Sequence, residues 1–102
     1  MKTYEDFVRI RGWAHQRNLV SGSTTDKQFL KLIEEVGELA AGLARKDDVK
    51  IMDGIGDAVV VLTILAEQLG FSIEACIEMA YDEIKDRKGR MVDGVFVKEA
   101  DL

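Results

Sequence analysis

The sequence contains no proline, one cysteine and one histidine. Without proline, nothing locks φ or removes an amide donor inside a helix, so long unbroken helices are open to the chain. A single cysteine, Cys76, cannot close an internal disulfide, which excludes a secreted disulfide scaffold and points to a reducing, cytoplasmic setting. One histidine, His15, and no second cysteine leave no ligand set for structural zinc. Aromatic residues make up only 7% of the chain. The longest apolar run, 58–66, is interrupted by Thr63 and is too short to cross a bilayer. Residues 1–11 lack the apolar centre of a signal peptide, so no membrane partner is expected. Positive charge is also scarce: 14 Lys and Arg stand against 19 Asp and Glu, a net charge of −5. That balance argues against a nucleic-acid polymer as partner, because such binding rests on cations facing phosphate.

What is present is an ordinary globular composition, 47% hydrophobic and 32% charged over 102 residues. This length supports one core, so residues 1–102 are read as a single domain. Helical periodicity predicts four helices. The first covers about 3–18, with Tyr4, Phe7, Val8, Arg11 and Ala14 near one stripe. A polar loop comes next at 21–25, and Thr25 with Gln28 has the form of a capping box. The second helix covers about 26–45, with Phe29, Leu32, Ile33, Val36, Leu39, Ala40 and Leu43 as its buried face. Asp47 and Asp48 cap the third, which runs to about Leu69 with Gly70 past its end. Ser72 caps the fourth, which carries Ile73, Cys76, Ile77, Ala80 and Ile84 on one side and ends at Gly89. In the tail, 91–102, Asp93-Gly94 between β-prone pieces signals a small hairpin or an extended arm. The fold expected is therefore all-α, a four-helix bundle-like domain. The third helix is apolar nearly all round, and so short a chain has little to cover it. A second copy is the simplest cover, giving a homodimer or homotetramer with this helix central.

Two helices carry acids at helical spacing. Glu34, Glu35 and Glu38 are neighbours on the second, and Asp53 and Asp57 lie four apart on the third. If the two helices pack antiparallel, the sets converge near their connecting loop. Converging carboxylates need a hard divalent cation, Mg²⁺ first and Mn²⁺ second, both suited to oxygen ligands. The plainer alternative is a solvated acidic face that binds nothing. Gly37, Gly42, Gly54 and Gly56 flank the acids, and a glycine inside a helix costs about 1 kcal/mol against alanine. Such residues make sense where helices approach closely or a ligand needs room.

The segments Glu34-Glu35-Val36-Gly37-Glu38-Leu39-Ala40 and Asp53-Gly54-Ile55-Gly56-Asp57 together resemble the MazG-like nucleoside triphosphate pyrophosphohydrolases, an all-α family with an E-E-x-x-E, spacer, E-x-x-D pattern. The resemblance spans most of the chain. It implies Mg²⁺-dependent hydrolysis of a (d)NTP between the α- and β-phosphates, yielding the nucleoside monophosphate and pyrophosphate, as a house-cleaning activity on the nucleotide pool. Carried over, it makes Glu35, Glu38 and Asp57 metal ligands. Glu34 becomes an outer ligand or the group that orients the attacking water, and Glu34 and Glu35 are both candidates for the base. One position departs: Gly54 stands where the pattern has its second Glu, and Asp53 is the nearest substitute. A nucleotide-binding or regulatory relative with weak or no hydrolysis is the alternative this departure raises. A third reading is a purely structural bundle.

A triphosphate also needs cations from the protein. Lys85, Arg87, Lys88 and Arg90 cluster at the expected end of the fourth helix. By composition alone they serve equally well to complement the helix dipole, and the resemblance favours phosphate binding. Tyr81 and Asp82, one turn earlier, are candidates for the same pocket. A nucleobase needs a flat apolar surface with polar edges. Trp13, with His15, Arg17 and Asn18 nearby, is the candidate, although a core role for Trp13 fits as well. Cys76 on its apolar stripe is expected to be buried filler.

Overall fold

A computed structural model describes residues 3–102, with the side chains of Thr3 and Tyr4 outside the described set. The order is α1 (Thr3–Gln16), α2 (Thr25–Arg45), α3 (Asp48–Gln68), α4 (Ile73–Ile84), β1 (Gly89–Val92), β2 (Val95–Lys98) and a closing 3₁₀ turn, Glu99–Asp101. The all-α expectation holds, with the small antiparallel ribbon as the only sheet among the described residues. The expected place of Tyr4 on the α1 stripe lies outside what is described.

The element boundaries reflect capping chemistry. The N-cap of α2 is Thr24, not the Thr25 read from the sequence; its hydroxyl accepts from the Lys27 amide at 3.2 Å. Asp47 and Ser72 cap α3 and α4 in the same way. The first helix stops at Gln16, and Asn18 turns the chain with φ 58°. Between α2 and α3 only Lys46 and Asp47 intervene, and Lys46 takes the left-handed conformation (φ 55°) at which its amide bonds back to Gly42 and Leu43. The fourth helix ends at Ile84, five residues before the predicted stop. Gly89 opens β1 instead, because a Cβ there would meet the Phe96 ring at 2.6 Å.

The hairpin of α2 and α3 organises the fold. The buried positions of α2 are Gln28, Glu35 and Gly42, spaced by sevens, with half-buried Leu32 and Leu39 between them. This is the seam repeat of two helices packed along their length. At its loop end the backbones come close: a Cβ on Gly42 would lie 3.3 Å from the Lys50 Cβ, and one on Gly54 3.2 Å from the Leu39 Cβ. The stripe expected to be buried turns outward instead. Phe29, Ile33, Val36 and Leu43 are exposed, as are Ile77 and Ile84 on α4. Cys76 is exposed too, which corrects its reading as filler.

The core lies where α1 crosses α3. Phe7 and Ala14 from α1 meet Val61, Ile64 and Ala66 from α3, and the buried Thr63 hydroxyl bonds the Val59 carbonyl at 2.7 Å. Polar ties complete it. Arg11 donates two hydrogen bonds to Glu74 at 2.5 and 2.8 Å, fixing α1 to α4. Gln68 reaches the Leu19 carbonyl at 3.3 Å. No described helix is long and apolar enough to cross a membrane.

The chain is loosely gathered. Its radius of gyration is 16.2 Å, against about 13 Å for a compact chain of this length. Its accessible surface is 7807 Å², against about 5,800 Å² for a monomer of its mass.

Candidate functional site

The site begins with the seam. Because Glu35 sits seven residues after Gln28 on the packed face of α2, it is carried inward and is only 6% exposed. Lys31, one turn earlier, lies 3.3 Å from its Oε1 and also donates to Glu34 at 3.3 Å. These two carboxylates raise the Lys31 pKa and hold it charged. The other oxygen of Glu35, Oε2, is buried with no hydrogen-bond partner among the described residues. An orphaned buried carboxylate oxygen is costly unless something else meets it.

Across the seam stands Asp57, half-buried on α3. Burial raises its pKa first, then repulsion from Asp53 and Glu35, against a smaller opposing pull from Lys31. Asp57 therefore feels both Asp53 on its own helix and Glu35 across the seam. Glu38, Asp53 and Asp57 line a cleft of about 240 Å³ together with Arg45 and Lys50. A neighbouring cleft of about 450 Å³ is lined by Trp13, Lys27, Gln28, Lys31, Glu35 and Asp57. Asp57 is shared by both, and by a third of about 410 Å³ that reaches Arg9 and Trp13. The carboxylates thus stand between an acid-rich recess and an aromatic-walled one.

The expected convergence of all five acids into one cage is not what the chain holds. Among the described residues, no three His, Cys, Asp or Glu side chains gather closely enough to hold a metal ion. Glu34 turns to Lys31, and Glu38 is exposed. The residues nevertheless fit a hard cation in kind: the donors are carboxylate oxygens, one is orphaned and buried, and another has its pKa raised by burial and then by its acidic neighbours.

The base-side candidates divide. Trp13 borders the 450 Å³ cleft, and the Arg17 guanidinium stacks 4.8 Å from its ring centroid. His15 instead faces α3, with Nε2 2.6 Å from Glu67 Oε2. Asn18 shapes the turn after α1, accepting from the Ser21 hydroxyl at 2.8 Å. The basic cluster does not meet the acids within one chain. Lys85 pairs with Asp82 at 3.2 Å and Arg87 with Glu83 at 3.4 Å. Lys88, Arg90 and Tyr81 are exposed, and none of these residues lines the clefts just described.

Sequence reasoning missed Gln28, Arg45 and Lys50 as neighbours of the acids. The signals were there: Gln28 and Arg45 lie seven residues from Glu35 and Glu38, and Lys50 three before Asp53. Gln28 is buried on the seam and lines the 450 Å³ cleft beside Glu35, which places its amide among the groups a ligand there would meet.

The MazG nucleotide pyrophosphohydrolase domain matches residues 23–92, more than half of the chain. An uncharacterised 18.2 kDa protein in the rep-hol intergenic region of Haemophilus phage HP1 (strain HP1c1) is 54% identical over 59 residues, covering 58% of this chain and 36% of that protein. The chain therefore spans about a third of the length of that relative. No solved structure matches it.

Proposed function

We propose, from the premise that the chain belongs to the MazG nucleotide pyrophosphohydrolase family, that it hydrolyses a nucleoside triphosphate between the α- and β-phosphates. The products are the monophosphate and pyrophosphate. The observation that carries this reading is Glu35, a buried carboxylate with one orphaned oxygen, set beside Asp57 at the mouth of a cleft walled by Trp13.

Glu35, Glu38, Asp53 and Asp57 are the residues that would hold Mg²⁺ or Mn²⁺. When bound, the cation would neutralise phosphate charge and polarise the phosphoryl oxygens. The chain's own residues do the rest. Lys31 pairs with both Glu34 and Glu35, and Glu34 would serve to orient a water for in-line attack. Trp13 and Arg17 offer a flat face for the base, and the Gln28 amide offers both a donor and an acceptor to its edge. Lys85, Arg87, Lys88 and Arg90, which line none of these clefts in their own chain, would supply cations for the phosphates from a second copy, with Tyr81 and Asp82 beside them. Gly54, the departure from the family pattern, has a packing account: it lets α3 approach Leu39. Asp53, which lines the same cleft as Glu38 and Asp57, would then stand in for the family's second acid, and the binding-only relative remains the alternative reading.

The same reading takes the chain as a homodimer or homotetramer in the cytoplasm, supported by its excess surface and its outward apolar stripes. A screen of nucleoside triphosphates with Mg²⁺ should yield pyrophosphate and monophosphate in equal amounts. Release of orthophosphate alone would overturn the mechanism. Glu38→Gln should lower turnover at least a hundred-fold with helix content unchanged by circular dichroism.

A further inference from the structure

The ribbon of β1 and β2 is built rigidly, and its side chains are almost all exposed. Its turn has Asp93 at φ 50° and Gly94 at φ 82°, the paired positive values of a tight I′ hairpin. Below the turn, the Glu99 amide bonds the Lys88 carbonyl at 2.8 Å. Cross-strand partners share a face. Met91 pairs with Phe96, and on the opposite face Val92 pairs with Val95 and Arg90 with Val97. Both faces are thus apolar near the tip. Yet Met91 is 63%, Val95 64% and Phe96 47% exposed. A lone two-stranded ribbon is marginal in water, and one with two bare apolar faces needs cover on both.

The chain also holds an open cleft of matching character. It measures about 1010 Å³ and lies between α1 and the outward side of α3. Its floor is apolar, with Phe7, Ile10, Met52, Ile55 and Val59 among its residues. Its charged lining is acidic throughout: Asp6, Asp48, Asp53 and Asp57. The ribbon carries apolar residues near its tip, with Asp93 at the turn its one acid, and Arg90 and Lys98 at its root next to Lys88, a net positive complement. No residue of α4 or of the ribbon lines the cleft of its own chain.

We propose that the ribbon, 89–98, is an arm that seats in the α1–α3 cleft of a second copy. There its root brings Lys88 and Arg90 beside that copy's Asp53 and Asp57. Charge complementarity favours a second copy as occupant, and so does area. The chain exposes about 2,000 Å² more than a monomer of its mass, well above the ~800 Å² per partner of a standard interface. The arm also explains why the basic cluster and the acids, both expected at one phosphate site, stay apart within one chain. The proposal rests on the homo-oligomer reading above.

Two measurements on the full chain test it. In a Cys76→Ser background, Met52→Cys and Val95→Cys are prepared as separate proteins, mixed and mildly oxidised. A covalent dimer joining one of each should dominate over either self-pair. Separately, Met91→Asp with Phe96→Asp should weaken association at least ten-fold in sedimentation equilibrium. If that variant loses helix content, the cross-link alone decides. A wild-type chain that sediments as a monomer overturns the arm and the oligomer reading together. An oligomeric wild type with no mixed cross-link overturns the arm alone, whether the ribbon packs on its own chain or stays in solvent.

Discussion

Glu35 and Asp57 show a site that works against its own fold. The Asp57 pKa is raised by burial and by Asp53 and Glu35. A carboxyl that holds its proton more tightly when folded makes stability fall as pH rises, from the ordinary carboxylate value up through the raised one. Above that window the full cost is present. Asp57→Asn should therefore raise the melting temperature of metal-free protein at pH 7, with the gain vanishing near pH 3. A thermal melt in chelator at both pH values checks this, and turnover should be lost. Gly54 carries the opposite constraint. Because its Cβ would press on Leu39 at 3.2 Å, Gly54→Glu should destabilise the protein by about 1–3 kcal/mol of overpacking and restore no activity. At this scale the sequence was legible where spacing sets contact: Glu35 and Asp57 emerge from helical periodicity. Gln28, Arg45 and Lys50 were not singled out, because their role comes from the facing helix. Gly54 read only as a departure from the family pattern, because its close approach to Leu39 comes from the facing helix.

Elements were legible in number and type, and less so in facing. The capping residues Asp47 and Ser72 and the tight Asp93-Gly94 turn act within a few residues, so a sequence shows them directly. The buried face of α2 was read one position off: the seam takes Gln28, Glu35 and Gly42, and the larger apolar stripe turns outward. Hydrophobicity identified a face that wants cover, not which partner covers it. The tie between α1 and α4 gives a clean pH test. Arg11 lowers the Glu74 pKa through its hydrogen bonds. The stabilisation is present above the ordinary glutamate value and is lost as pH falls through the lowered one. Glu74→Gln should cost about 1 kcal/mol at pH 7, and the difference from wild type should be smaller at pH 3. Denaturant melts at the two pH values measure it.

For the whole molecule, surface is the dominant fact. A radius of gyration of 16.2 Å and 7807 Å² of exposed area suit a chain that is one part of an assembly. Folding coupled to association makes stability depend on concentration. The melting temperature should rise by several degrees between 1 and 100 µM protein, and specific activity should fall on dilution. A melting temperature that ignores concentration would contradict this. The net charge of −5 repels an anionic substrate, so the triphosphate proposed above would rely on Lys85, Arg87, Lys88 and Arg90, and on a divalent cation at the acids, for local positive charge.

The connection between α2 and α3 is two residues long, Lys46 and Asp47, and it acts as a phase lock. Each residue added to a helix rotates the remainder of that helix by about 100°. One insertion inside the first turn of α3, ahead of Asp53, would swing Asp53 and Asp57 off the seam while leaving every acid in the sequence. Length variation in this family of chains should therefore collect at 17–24, where the loop ahead of α2 absorbs it, and be purged from 48–52. A homologue could keep all five acids and still be inactive through a single codon gained in that first turn.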